Sequence, residues 1–192
     1  GYHMALKFVA LGHSVWGTTR DLKSLEPLNK DCRELAGTFH SIEWDGSDPH
    51  AHLKRSIEEG PHQLDIVINN AAAFLKKDWT ELSEDDMMDL YRVNVIRPFQ
   101  VAQVVQPRMR KGGHLVNISS VGGVQGSLKF PGLLPYSTSK GALNILTECL
   151  AVEWEALPLS CNALALGSSS TTMFQSAFPN LEAASSPQQM AD

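Results

Sequence analysis

Cysteine is scarce in this 192-residue chain: Cys32, Cys149 and Cys161 are all there is, with no CxxC spacing. Three such residues cannot build a disulfide framework or a four-cysteine zinc site, so a reducing, cytoplasmic setting is expected. A basic excess is also missing. Lys and Arg number 16 against 21 Asp and Glu, a formal charge of −5, which argues against a dedicated nucleic-acid binder. No apolar run approaches the ~18 residues of a membrane span. Gly1–Val9 lacks the pattern of a secretory signal. No repeat has solenoid spacing, and no low-complexity stretch precedes the Ser-rich run Gly167–Thr172. His50-x-His52, with His40, Glu43 and Asp45 nearby, does not have the i, i+4 spacing of helical metal ligands, so no metal is expected.

What is present is a 43% apolar content, enough for one domain-sized core. Short β-branched runs alternate with longer helical patterns. Strands are expected at Ser14–Thr19, Thr38–Trp44, Leu64–Asn69, Gly113–Ser119 and Ser160–Leu166. Helices are expected at Leu22–Leu35, capped by Asp21, and at His50–Glu59, Ser83–Arg110 and Tyr136–Leu157. Pro98 is expected to kink or divide the third of these, and Leu64–Asn69 has the composition of a fully buried strand. The alternation predicts an α/β fold: a doubly wound, Rossmann-like parallel sheet in a single domain over 1–192. Ligands of such sheets sit at the carboxyl ends of the strands. There the unusual polar residues fall: Thr18–Arg20, Asp45, Asn69–Asn70, Ser119–Ser120 and Gly167–Thr172.

The strongest local signal is Tyr136-Ser137-Thr138-Ser139-Lys140. Four residues apart on a helix, Tyr136 and Lys140 share a face. A neighbouring ammonium favours the phenolate and turns a phenol of pKa ~10 into a usable acid/base near neutrality. Taken alone, the spacing is a common accident and fits a surface Tyr and a solvated Lys better. Upstream, however, a strand ends in Asn117-Ile118-Ser119-Ser120, whose hydroxyl can hold a carbonyl oxygen against the phenol. Asn94 sits between two valines inside a helical stretch, where a polar Asn needs a reason. Cys149 follows on the tyrosine's helix in an apolar stripe and is expected in the core.

Together these pieces resemble the short-chain dehydrogenase/reductase family. The resemblance rests on Asn69-Asn70-Ala71-Ala72, Asn94, Asn117-Ile118-Ser119-Ser120, Tyr136-x-x-x-Lys140 and Asn162-Ala163-Leu164-Ala165-Leu166-Gly167, in the family's order. It implies a catalytic set of Asn94, Ser120, Tyr136 and Lys140. Tyr136 would protonate the substrate oxygen, Ser120 orient it, Lys140 tune the phenol and hold the nicotinamide ribose, and Asn94 keep a relay water. It also implies a dinucleotide held by Gly1, Thr19, Arg20, Asp45, Asn69, Ala71, Ala72, Tyr136, Lys140, Gly167 and Thr171. NADP is favoured over NAD because Arg20 follows the strand end where NAD binders place an acid.

By the same resemblance, Gly1 stands at the last glycine of the family's TGxxxGxG loop, with Tyr2–Leu11 as its first helix. Ala72 and Leu166 depart from the family's Gly and Pro. The chain is expected to be truncated at both ends relative to the family. The implied activity is NADP(H)-dependent interconversion of a carbonyl and an alcohol. The substrate is expected to be small and apolar, from Phe74, Phe130, Leu133, Leu134, Met173 and Phe174 in the loops Phe74–Trp79 and Leu128–Pro135 and the tail from Thr171. A homodimer or homotetramer is expected, with neither nucleic acid nor membrane as partner. The rival reading is a non-catalytic dinucleotide-binding or interaction module of the same fold.

Overall fold

Glycine and proline divide the first third of the chain into segments of ten residues or fewer, and the elements follow that punctuation. The computed structural model describes residues 1–44 and 48–191. In chain order the elements are α1 (Tyr2–Ala10), β1 (Ser14–Thr19), α2 (Glu26–Asp31), β2 (Thr38–Glu43), α3 (Pro49–Glu59), β3 (Leu64–Asn69), α4 (Glu84–Tyr91), α5 (Arg97–Val105), β4 (Met109–Ser120), α6 (Leu134–Glu153), β5 (Ser160–Leu166) and α7 (Thr172–Ala177). All strand pairings are parallel. The architecture is the expected Rossmann-like α/β arrangement of parallel sheets with flanking helices.

The chain's residues group into two compact units: residues 1–48 with 168–192, and residues 49–167. The first unit pairs β1 with β2, Ser14 opposite Thr38 through Thr19 opposite Glu43. Its core is Val9, Leu28 and Cys32, with Leu6, Val15 and Phe39 packed against them. Gly17 is required here, since a Cβ would lie 2.6 Å from the Phe39 ring. On the opposite face Trp16 stacks on His40 with centroids 4.5 Å apart. Asp21 accepts from Lys23 N at 3.0 Å and caps a short 3₁₀ turn, Leu22–Leu25. The single helix expected over Leu22–Leu35 is therefore this turn followed by α2, which Pro27 opens from its first turn, where its missing N–H leaves no carbonyl unpaired.

The second unit is the sheet β3-β4-β5. Leu115, Asn117 and Ser119 form the buried face of the central strand β4, and α6 packs against that strand. Edge strand β3 leaves Ile66 about half exposed, so its run of isoleucine and valine is not fully buried as its composition suggests. Edges are covered from one side only. Ser83 opens α4 with a capping box to Asp86. The long helix expected over Ser83–Arg110 is broken by a π-helical turn, Arg92–Ile96, and gives way to strand at Met109. Pro98 lies in the first turn of α5, where the long stretch is divided. Helix α6 starts at Leu134, earlier than Tyr136, and stops at Glu153; Leu134 and Pro135 thus belong to the helix and not to a loop. Cys149 is exposed on α6 and not in the core, whereas Trp154 is buried.

Candidate active site

Four elements of the second unit converge on Tyr136: the end of β4, the first turns of α6, the π turn, and the irregular segment after β3. Ser120 ends β4 with its hydroxyl accepting from Gly122 N at 3.1 Å, which starts the 3₁₀ turn Val121–Gly123. The same side chain acts on the Tyr136 phenol, favouring its ionised form. Its neighbour Ser119 points the other way and donates to the Lys140 carbonyl at 3.2 Å. One serine thus faces the phenol while the other ties strand to helix.

Glycine makes this junction possible. A Cβ on Gly123 would lie 2.5 Å from the Lys140 carbonyl carbon and 2.6 Å from Gly141 N. Backbone therefore touches backbone between the turn and the helix, which sets the height of Tyr136 and Lys140 against the end of β4.

Lys140 is 2% exposed and its Nζ donates to the Ile118 carbonyl at 2.8 Å. Burial pushes its ammonium down to about 8. The Nζ lies 5.8 Å from the Tyr136 ring centroid, near the limit of cation–π range. The phenol itself is pushed up by burial, and Ser120 acts in the opposite direction. The expected lowering by Lys140 is therefore not what governs this phenol: desolvation dominates.

Asn94 is fully buried in the π turn. Its Oδ1 accepts from Ala73 N at 2.8 Å, and its Nδ2 donates to the Ala73 carbonyl at 3.0 Å and to Ser139 Oγ at 2.9 Å. Ser139 in turn donates to the Tyr136 carbonyl at 2.8 Å. This answers why a polar residue stands between two valines: it joins the segment after β3 to the helix of the tyrosine. Ser139 was not singled out by the sequence, although its place inside Tyr-Ser-Thr-Ser-Lys is the available signal. A second buried chain runs from Asn69 Nδ2 to Asn117 Oδ1 at 2.8 Å, then from Asn117 Nδ2 to Thr147 Oγ1 at 2.9 Å. Asn69 thus has its side chain committed to the sheet, and Thr147 is a further polar support that patterning missed. Ala71 and Ala72 follow in irregular chain, and nothing lies within 4 Å of a Cβ built on Gly167.

The remaining candidates belong to the first unit. Gly1 caps α1 and accepts from Ala5 N at 2.9 Å. Thr19 is engaged in its own turn, with Oγ1 donating to the Asp21 carbonyl at 3.0 Å. Arg20 is exposed and makes no ion pair among the described residues. Thr171 caps α7 by accepting from Phe174 N at 3.2 Å. Asp45 lies outside the described residues. Among the described residues, no group of three His, Cys, Asp or Glu side chains could hold a metal ion, and no helix is long and apolar enough to cross a membrane.

The family model for short chain dehydrogenases matches residues 1–182. The chain belongs to the short-chain dehydrogenase family. It is 39% identical over 120 residues to gluconate 5-dehydrogenase of Gluconobacter oxydans, covering 62% of this chain and 46% of that protein. It is 31% identical to 2-dehydro-3-deoxy-D-gluconate 5-dehydrogenase of Escherichia coli, covering 91% and 69% respectively. Among solved structures, a gluconate 5-dehydrogenase from Burkholderia cenocepacia in complex with NADP and tartrate superposes with a TM-score of 0.80 at 27% identity, covering 92% of this chain and 70% of that one. The chain therefore spans about half the length of the first of these short-chain dehydrogenase relatives.

Proposed function

We propose that this chain carries the NADP(H)-dependent interconversion of a carbonyl and an alcohol, with Tyr136 as general acid and base. The observation that carries the reading is the buried Lys140 ammonium, held by the Ile118 carbonyl next to Ser119 and Ser120 and lying 5.8 Å from the Tyr136 ring. Family membership supports an oxidoreductase reading in general.

The donor set fits a dinucleotide. One of the three ammonium hydrogens of Lys140 goes to Ile118, leaving two for ribose hydroxyls. Tyr136, Asn69, Ala71, Ala72 and Gly167 would line the same cofactor, and family resemblance assigns Gly1 and Thr171 to it as well. When bound, the nicotinamide supplies or takes the hydride. In reduction Tyr136 gives its phenolic proton to the substrate oxygen as that oxygen gains charge, and in oxidation it takes the proton back. Ser120 orients the oxygen by a second hydrogen bond. Asn94, with both amide hydrogens already given to Ala73 and Ser139, serves by fixing the helix rather than by donating to a relay water.

The exposed guanidinium of Arg20 after β1 supports a preference for the 2′-phosphate of NADP, with Thr19 as its neighbour. A relative solved with NADP supports the same choice. The relatives' names suggest a small hydroxy or oxo acid, while Phe74 and Phe130 favour an apolar flank. Exposed Met88, Phe99, Ile145 and Val152 on α4, α5 and α6 support pairing with a second copy. Three free thiols support a reducing, cytoplasmic setting.

The test is Tyr136→Phe. Turnover of ketones and aldehydes is expected to be lost while NADPH affinity by calorimetry stays within about twofold. Turnover equal to that of the parent chain would overturn the role of Tyr136. Binding without turnover in both chains would favour the non-catalytic module.

A further inference from the structure

The segment after β3 is anchored at two points that have no part in proton transfer. At its start, both backbone polar groups of Ala73 are held by the Asn94 side chain, at 2.8 and 3.0 Å. Four residues later Lys77 is held twice. Its backbone N donates to the Gly132 carbonyl at 3.0 Å, and its Nζ pairs with Asp86 at 2.7 Å. Gly132 has a φ of +82°, a conformation that only glycine adopts without strain, so the loop before α6 is shaped to meet this clasp. Asp86 is also part of the capping box of α4, which fixes the carboxylate.

Between the anchors lies Phe74. Its ring packs against Tyr136 with centroids 4.9 Å apart and an interplanar angle of 57°. A short segment fixed at both ends leaves its middle side chain few positions, and here that position is against the phenol.

We propose that Phe74 is a positioning residue for Tyr136, held between the grip of Asn94 on Ala73 and the clasp of Lys77 on Asp86 and Gly132, so that its ring closes one side of the phenol and fixes the direction in which the hydroxyl is presented. The other groups at this phenol are Ser120 from β4 and Lys140 on its own helix. Phe74 supplies part of the water-excluding surface there, in keeping with the upward push that burial exerts on Tyr136. This inference rests on the reading of Tyr136 as acid and base only where turnover is concerned.

The experiment is carbon NMR of the chain labelled at tyrosine Cζ, which reports the titration of each of its three tyrosines without cofactor. The Tyr136→Phe variant identifies the Tyr136 resonance. Phe74→Ala is expected to lower the Tyr136 titration midpoint, because water reaches the phenolate, and Phe74→Leu to restore most of the loss. Lys77→Met tests the clasp from a partly exposed site that the fold tolerates. Loosening the clasp is expected to shift Tyr136 downward as well, opposite to the upward shift from simply removing a cation. An unmoved Tyr136 midpoint in both Phe74→Ala and Lys77→Met overturns the inference. In turnover, Phe74→Ala is expected to move the pH profile of kcat with the NMR midpoint. A moved midpoint with an unmoved pH profile would uphold Phe74 as the positioning residue and overturn Tyr136 as the proton donor.

Discussion

The Lys140 ammonium donates to the Ile118 carbonyl at 2.8 Å from a position that is 2% exposed. A single backbone acceptor does not replace the hydration of a cation, and the ammonium is held at about 8, below its ordinary 10.5. Below pH 8 the lysine is protonated in both folded and unfolded chains, and the folded chain bears the full penalty. Between about 8 and 10.5 the folded chain releases its proton first, so stability rises with pH through this window, by on the order of 3 kcal/mol for one group. Lys140→Met should abolish that rise. Urea midpoints of both chains from pH 7 to 10.5 would show it, and parallel curves would refute it.

Gly123 and Gly141 meet at one crossing but should respond differently to alanine. At Gly123 the added Cβ meets backbone at 2.5 Å, which no rotamer change relieves. Gly123→Ala is expected to destabilise by about 3 kcal/mol and to displace Tyr136 from Ser120. At Gly141 the nearest atom is the Gly123 carbonyl oxygen at 3.2 Å. Gly141→Ala should be nearly neutral, since helix propensity returns about 1 kcal/mol. Thermal unfolding of the two variants side by side checks the contrast.

Asn94→Ala leaves the N–H and carbonyl of Ala73 and the hydroxyl of Ser139 without their partner. Buried groups so orphaned cost roughly 1–3 kcal/mol each, so a loss of about 3 kcal/mol or more is expected. Hydrogen exchange at the Ala73 amide should accelerate in step. Retained protection of that amide would show that another acceptor takes over.

Arg20→Ala should lower NADPH affinity by about tenfold, the worth of one charge-assisted contact, and leave NADH nearly unchanged. Its exposed side chain predicts no change in melting temperature. Calorimetric titration with both cofactors decides it. Equal losses for the two would remove Arg20 from the phosphate site.

Much of the strand pattern was legible locally. Three strands, Ser14–Thr19, Leu64–Asn69 and Ser160–Leu166, have the bounds that their β-branched runs suggest. Short β-branched runs between helical patterns are enough to delimit them. The helices were less legible where interruption has a tertiary cause. Nothing local in Arg92–Ile96 announces a π turn; the extra residue places Asn94 where Ala73 and Ser139 can be reached together. Cys149 shows the opposite failure. An apolar neighbourhood in sequence does not say which side of a helix the neighbours occupy, and the thiol is exposed.

The sequence by itself determined the parallel α/β class, through its alternating strand and helix patterns, and its motifs in series carried the resemblance to the family that makes Asn94, Ser120, Tyr136 and Lys140 the candidates. Only the tertiary structure decided what those residues touch. The choice between Ser119 and Ser120 depends on opposite faces of one strand. The upward push on Tyr136 and the downward push on Lys140 depend on how much water reaches each group. Phe74 acquires its neighbour only when two loops far apart in the chain close on Gly132. Burial and contact are sums over distant segments, and no local window of sequence contains them.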